Sequence, residues 1–179
     1  MNLNDTQNLT LAIIKPNLMN KDFFAKAGKE LLKTVKSSGF KIIARKVVNL
    51  GQEHEKGQTL AQKFYAEHQS KSFYDDLIKL MSSNCFVFIL EKIDGQAVET
   101  WRNLIGQTDP QKDRKANKKT LRAQWGGEIK LLNGFHGSDS NESATREIEL
   151  LFPKFLRDYS CRNSHSMLKK NTRICLIIF

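Results

Sequence analysis

The chain has 179 residues, 40% of them hydrophobic, which is enough for one real core and makes a single domain the default over two small ones. No apolar run reaches bilayer-spanning length, and the opening "MNLNDTQNLT" lacks both arginine and a basic-then-apolar plan. Neither a transmembrane helix, a secretory signal nor an N-terminal transit peptide is therefore expected, and no membrane partner. The net charge of +10, from 29 basic and 19 acidic residues, suits an anionic partner such as nucleotide, nucleic acid or an acidic membrane surface, and equally suits a merely solvated basic surface.

"LTLAIIKP", residues 9–16, is a short apolar run stopped by proline and predicts a buried strand with Lys15 at its end, beside the core. Phe23, Phe24, Ala27, Leu31, Leu32 and Val35 recur at helical spacing, and Gly39 stops that helix. "FKIIARKVVNL" predicts a second strand. After a looser "GQEHEKGQT", Leu60, Phe64 and Tyr65 mark a helix, and "SFYDDLIKLM" another after Ser70. "CFVFILE" is the plainest strand in the chain. "GQAVETWRNLIG" predicts a short helix closed by Gly106. Residues 107–119 are polar and basic and predict a long loop of the kind that is often functional. Ser140 can cap a last helix whose buried stripe is Ala144, Ile148, Leu151 and Phe152, with Pro153 after it. Strand and helix patterns alternate, so the class is α/β or α+β with one sheet. Cys85, Cys161 and Cys175 lack metal-ligand spacing and predict reduced thiols in an intracellular protein.

The chemistry concentrates in "NGFHGSDSNESATREIE", residues 133–149. His136 precedes Gly137 and Ser138, and a helix begins a few residues later, where free backbone N–H groups favour an anion. Glu147 lies two turns past the Ser140 cap and shares its face. If that face looks toward His136, a carboxylate orients the imidazole, which can then attack phosphorus. Taken alone, these residues equally suit a surface histidine beside an ordinary capped helix. Lys15, Arg102 and Arg122 are three separated cations of the kind that phosphoryl transfer needs for positioning and charge neutralisation. Spacing does not show that they converge.

The stretch "FHGSDSNESATREIE" resembles the active-site signature of nucleoside diphosphate kinases, whose phosphorylated histidine sits in an N-x-x-H-G-S-D frame. Asn133, His136, Gly137, Ser138, Asp139 and Ser140 match it, as does Glu147. "AIIKP" resembles the family's opening strand with its phosphate-contacting lysine, here Lys15. "FYAEHQSKSFY" resembles the helix pair that brings a tyrosine to the site and a phenylalanine to the base, here Tyr65 and Phe73. "WRNLIGQT" matches at Arg102 and Thr108, and "TLRA" at Arg122. The resemblance covers about residues 9–155 in order. It implies an α+β, ferredoxin-like fold: a four-stranded antiparallel sheet with helices on one face. It implies that His136 accepts the γ-phosphate of a nucleoside triphosphate and passes it to a nucleoside diphosphate, with Mg²⁺ carried on the nucleotide phosphates and no protein metal site. Lys15, Tyr65, Arg102, Thr108, Arg122 and Asn133 would hold phosphates and ribose. Phe73 would stack on the base, and Ser138 and Glu147 would set the histidine.

The chain departs from the family pattern at Asn17, where an aspartate is usual, at Ala123, where a glycine is usual, and at Ser83, Asn84 and Cys85, where S-G-P is usual. Its segment from Thr108 to Arg122 is longer and more basic than in common members, as in the family's divergent mitochondrial-associated branch. That segment normally helps build the oligomer, so a homo-oligomer and a hetero-oligomer with related subunits are both expected. A weakly active module that binds nucleotide or nucleic acid, or serves assembly, is the alternative function. Residues 1–8 are expected to be disordered, 9–155 to form the domain and 156–179 to be a tail of unknown role. The expected compartment is cytoplasmic, with mitochondrial as the alternative.

Overall fold

The computed structural model describes residues 7–161. The expectations for residues 1–6, and for the chain past residue 161 with Cys175 and the final "ICLIIF", lie outside that range.

Strand β1 (Leu9–Ile14) is buried at every position. Helix α1 (Lys21–Ser37) starts at Asn20, whose side chain accepts from the Phe23 N–H at 2.8 Å, and it buries Phe23, Ala27, Leu31 and Val35. Gly39, at φ 82°, turns the chain into β2 (Lys41–Asn49). Two short helices follow, α2 (Leu60–Phe64) and α3 (Tyr74–Met81), then β3 (Asn84–Glu91) and α4 (Ala97–Ile105). Gly106, at φ 84°, ends α4 as the sequence predicts. The chain continues through α5 (Pro110–Lys115), α6 (Leu121–Trp125), β4 (Phe135–Gly137) and α7 (Asn141–Leu151). Residues 155–161 are again helical, with Leu156 buried. No helix among the described residues is long and apolar enough to cross a membrane.

The four strands form one antiparallel sheet in the order β2-β3-β1-β4. Leu9, Leu11 and Ile13 of β1 join Cys85, Val87 and Ile89 of β3 in one core, with Phe64, Leu77, Met81, Ile148 and Leu151 from α2, α3 and α7. Ala12 and Ile14 join Phe88 and Leu90 in a second core with the apolar stripe of α1 and with Ala97, Trp101 and Ile105 of α4. Helices therefore cover both faces, where the family resemblance implied one. The reason is compositional. β1 and much of β3 are apolar on both sides of the pleat, so each face needs a cover. Every large side chain buried there stabilises the fold by about 2 kcal/mol.

Two elements run against the sequence pattern. β4 has three residues, too few for a periodicity to register. The polar segment after Gly106, read as a loop, contains α5. Its buried anchors are Pro110 and Asp113, not an apolar stripe, and Asp109 caps it by accepting the Gln111 N–H at 3.1 Å.

β4 decides where the site lies. His136 pairs with Ile13, and Gly137 with Ala12. Opposed residues share a face, so the His136 ring points to the side covered by α2, α3 and α7. The strand sits close to α4: Trp101 Nε1 donates to the His136 carbonyl at 3.0 Å, and a Cβ on Gly137 would lie 2.5 Å from the Trp101 ring. Gly137→Ala is expected to lower stability by roughly 1–3 kcal/mol, as overpacked sites do. Urea denaturation reads this directly, and an unchanged midpoint would contradict the tight strand–helix contact.

Candidate active site

The His136 ring is held by a chain of hydrogen bonds that begins in the backbone of β1. The Leu11 N–H donates to Ser138 Oγ at 3.2 Å, and the Ser138 hydroxyl donates to Glu147 Oε2 at 2.7 Å. The same oxygen lies 3.0 Å from His136 Nε2. A carboxylate can only accept, so Nε2 carries the ring hydrogen and Nδ1 of the neutral imidazole keeps its lone pair. Glu147 reaches this position because α7 starts at the Ser140 cap, which accepts the Ser143 N–H at 3.1 Å, and two turns return to the same face. Phe64 and Tyr65 brace the ring edge-on, with centroids 5.1 and 6.1 Å away.

His136 opens onto a cavity of about 790 Å³. The other residues singled out in the sequence converge on it. Lys15, Tyr65, Phe73 and Arg102 line its walls, together with Thr108, Arg122 and Asn133. Ser138 and Glu147 stand behind the histidine. The alternative of an isolated surface histidine is thereby set aside.

The cations are held in unusual ways. Lys15 is 6% exposed at the end of β1, where its N–H donates to the Gly134 carbonyl at 2.9 Å. Burial, reinforced by the neighbouring Arg122, pushes its amine down to about 7. Arg122 donates from Nη1 to the Gly106 carbonyl and from Nη2 to the Phe135 carbonyl, both at 2.8 Å. Burial first, and then Arg102, pulls it down to about 10. Neither Lys15 nor Arg122 belongs to any ion pair found among the described residues. Arg102 is half-exposed at the mouth and pairs with Asp139. Asn133 Nδ2 donates to the Thr108 carbonyl at 3.1 Å, which ties together two residues far apart in sequence.

Three buried polar atoms on this wall have no partner among the described residues: the Tyr65 hydroxyl, Arg122 Nε and Asn133 Oδ1. Burial above all holds the Tyr65 phenol well above its ordinary range, so it is a neutral donor. Among the described residues no cluster of three His, Cys, Asp or Glu side chains is arranged to hold a metal ion.

Several lining residues escaped the sequence reading. Asp139 counted as part of a motif, with no partner assigned. His68 stacks on Tyr65 with centroids 6.0 Å apart and lies 6.0 Å from Phe73, so it joins the two predicted aromatics. Ile129 is 55% exposed at the mouth, and no sequence pattern marks it. The departures from the family pattern also find places. Asn17 Nδ2 donates to the Leu132 carbonyl at 2.9 Å, a bond that an ionised aspartate could not make. Cys85 is fully buried, and burial pushes its thiol up to about 12, which makes it a core residue. The Ala123 carbonyl accepts from Arg114 Nε at 2.7 Å.

Comparison with known proteins identifies the family and the fold. The family model for nucleoside diphosphate kinase matches residues 8–156. The chain is 38% identical over 144 residues to nucleoside diphosphate kinase 1 of Protochlamydia amoebophila, covering 80% of this chain and 91% of that protein. It is 37% identical over 146 residues to the nucleoside diphosphate kinase of Salinibacter ruber, covering 81% and 92%. It also matches the thioredoxin domain-containing protein 3 homolog of Heliocidaris crassispina at 39% identity, and spans only 16% of that longer protein. Among solved structures, the Aquifex aeolicus nucleoside diphosphate kinase superposes with a TM-score of 0.67 at 35% identity, covering 81% of this chain and 94% of that one. The enzyme of Halobacterium salinarum, solved in complex with CDP, gives 0.65 at 27%, covering 81% and 87%. The chain belongs to the nucleoside diphosphate kinase family.

Proposed function

We propose that this chain transfers the γ-phosphate of a nucleoside triphosphate to a nucleoside diphosphate through phosphohistidine at His136. The observation that carries this reading is the fixed ring. With Nε2 committed to Glu147, Nδ1 is the nitrogen with a lone pair to give, in a ring that opens onto a cavity where Lys15, Arg102 and Arg122 meet. In the first half-reaction the Nδ1 lone pair forms a bond to the γ-phosphorus. The bond from that phosphorus to the β–γ bridging oxygen breaks, and the diphosphate leaves with the electron pair. In the second, a terminal oxygen of the acceptor diphosphate attacks the same phosphorus, and the P–N bond breaks. Positive charge on the ring is balanced by Glu147 throughout.

Charge neutralisation would come from Lys15, Arg102 and Arg122, which line the cavity from three separate segments. Thr108 and Asn133 would complete the hold on phosphate and ribose. Arg102 would exchange Asp139 for phosphate as the nucleotide enters. Phe73, 47% exposed, offers a face for any base, and its stacking predicts low base selectivity. Lys15, Arg102 and Arg122 are not metal ligands, so Mg²⁺ would arrive on the nucleotide phosphates as part of the substrate and supply additional charge neutralisation there. The extended segment between Thr108 and Arg122 supports placing the chain nearest the divergent branch whose members share that lengthening.

Incubation with γ-labelled ATP is expected to put acid-labile, alkali-stable label on the protein, and His136→Ala to remove it. An unlabelled wild type, beside a positive control that labels well, would sink the assignment.

Lys15 sets a proton balance for binding. Its folded-state value of about 7 lies below the ordinary 10.5, so its protonated form opposes folding below pH 7, and that penalty fades as pH climbs toward 10.5. Phosphate beside it reverses the preference and raises its affinity for the proton. Calorimetric titration with ADP near pH 8, in two buffers of different ionisation enthalpy, is expected to show net proton uptake, and Lys15→Met to abolish it. Equal apparent enthalpies in the two buffers for the wild type would contradict this.

A further inference from the structure

The polar segment between Thr108 and Arg122 is bound to the cavity wall through one carboxylate. Asp113 of α5 is 1% exposed. Its Oδ2 accepts the Gln107 N–H at 2.9 Å and the Thr120 hydroxyl at 2.9 Å. Lys118 Nζ lies 3.8 Å from Oδ1. Burial alone would raise the carboxyl, but the bonds from Gln107 and Thr120, with Lys118, outweigh it and keep Asp113 below its ordinary value. It is therefore a buried anion at neutral pH.

The Gly106–Gln107 peptide is gripped at both ends. Its N–H is held by Asp113, and its carbonyl accepts from Arg122 Nη1 at 2.8 Å. A hydrogen bond at the amide polarises the carbonyl and strengthens it as an acceptor. The peptide can sit this close only because residue 106 is glycine. At its φ of 84°, a Cβ would lie 2.2 Å from Asp113 Oδ2 and 2.4 Å from Thr120 Oγ1. The second route runs through Thr120. Its hydroxyl donates to Asp113 and accepts the Ala123 N–H at 3.3 Å, which caps the short helix that carries Arg122.

We propose that Asp113 is a positioning residue for phosphoryl transfer, aiming the Arg122 guanidinium at the phosphate through the Gly106–Gln107 peptide and the Thr120 cap. This rests on reading the cavity as a nucleotide phosphate site. The polar segment thus serves the site from inside its own chain.

The test is a double-mutant cycle. Asp113→Ala and Asp113→Asn are each measured alone and combined with Arg122→Ala. The readouts are kcat and KM for nucleoside diphosphate phosphorylation, ADP affinity by calorimetry, and melting temperature. A residue that acts through Arg122 loses its effect once Arg122 is gone. The expected result is a fall in kcat/KM of roughly tenfold in the Arg122 background, carried mainly by kcat, that shrinks to less than about twofold in the Arg122→Ala background. Equal factors in both backgrounds would overturn the proposal and leave Asp113 with a purely structural role. Asp113→Asn keeps the side-chain volume and carries the cycle if the alanine variant does not fold. The ADP arm needs no phosphohistidine. Should ATP fail to label the wild type, non-additive losses of ADP affinity would still support the role of Asp113, and additive losses would refute it.

Discussion

One carboxylate oxygen organises the site. Glu147 Oε2 takes hydrogen bonds from both the Ser138 hydroxyl and His136 Nε2, and Ser138 is anchored on the Leu11 amide of β1. The arrangement connects a central strand, the end of an edge strand and the middle of α7. It fixes the ring's rotation and its tautomer together, which a packed ring alone would not do. The rest of the fold meets the conditions this bond sets. The β4 register places His136 on the α7 side, the Ser140 cap sets the phase of α7, and Gly137 lets β4 approach Trp101.

Around that fixed ring the cavity is lined with groups that destabilise the free protein. Lys15 is buried and Arg122 partly buried, neither in an ion pair among the described residues, and the Tyr65 hydroxyl and Arg122 Nε have no hydrogen-bond partner among those residues. Each such group costs about 1–3 kcal/mol when left unsatisfied. A bound polyphosphate would bring negative charge to Lys15, Arg102 and Arg122, the cations already placed around the cavity. Buried Asp113 and its grip on the Gly106–Gln107 peptide show how one of those cations is kept aimed while it waits.

Much of this was legible in the sequence, and the parts that were not share a cause. Apolar runs marked β1 and β3, helical spacing marked α1, and Gly106 marked the end of α4. The two-turn spacing from Ser140 to Glu147 placed the carboxylate on the correct side of α7. The N-x-x-H-G-S-D frame identified His136 and brought in Tyr65, Phe73, Thr108 and Asn133 through the family resemblance, which spacing alone would not have done. By contrast β4 is too short for a pattern, and α5 hides because its buried anchors are a proline and an aspartate. The cover on both sheet faces was missed although β1 carries the signal: six consecutive buried residues have no solvent side. Contacts that depend on backbone groups, such as Arg122 on the Gly106 and Phe135 carbonyls, leave no trace in residue identity.

Phosphoryl transfer at this site turns on which ring nitrogen of His136 is free. Phosphorylated protein carrying ¹⁵N-labelled histidine, observed by ³¹P and ¹⁵N NMR, reports which nitrogen is bonded to phosphorus. Coupling to Nδ1 of His136, with Nε2 still protonated, is the result expected. Phosphorus on Nε2, or on any other side chain, would contradict it.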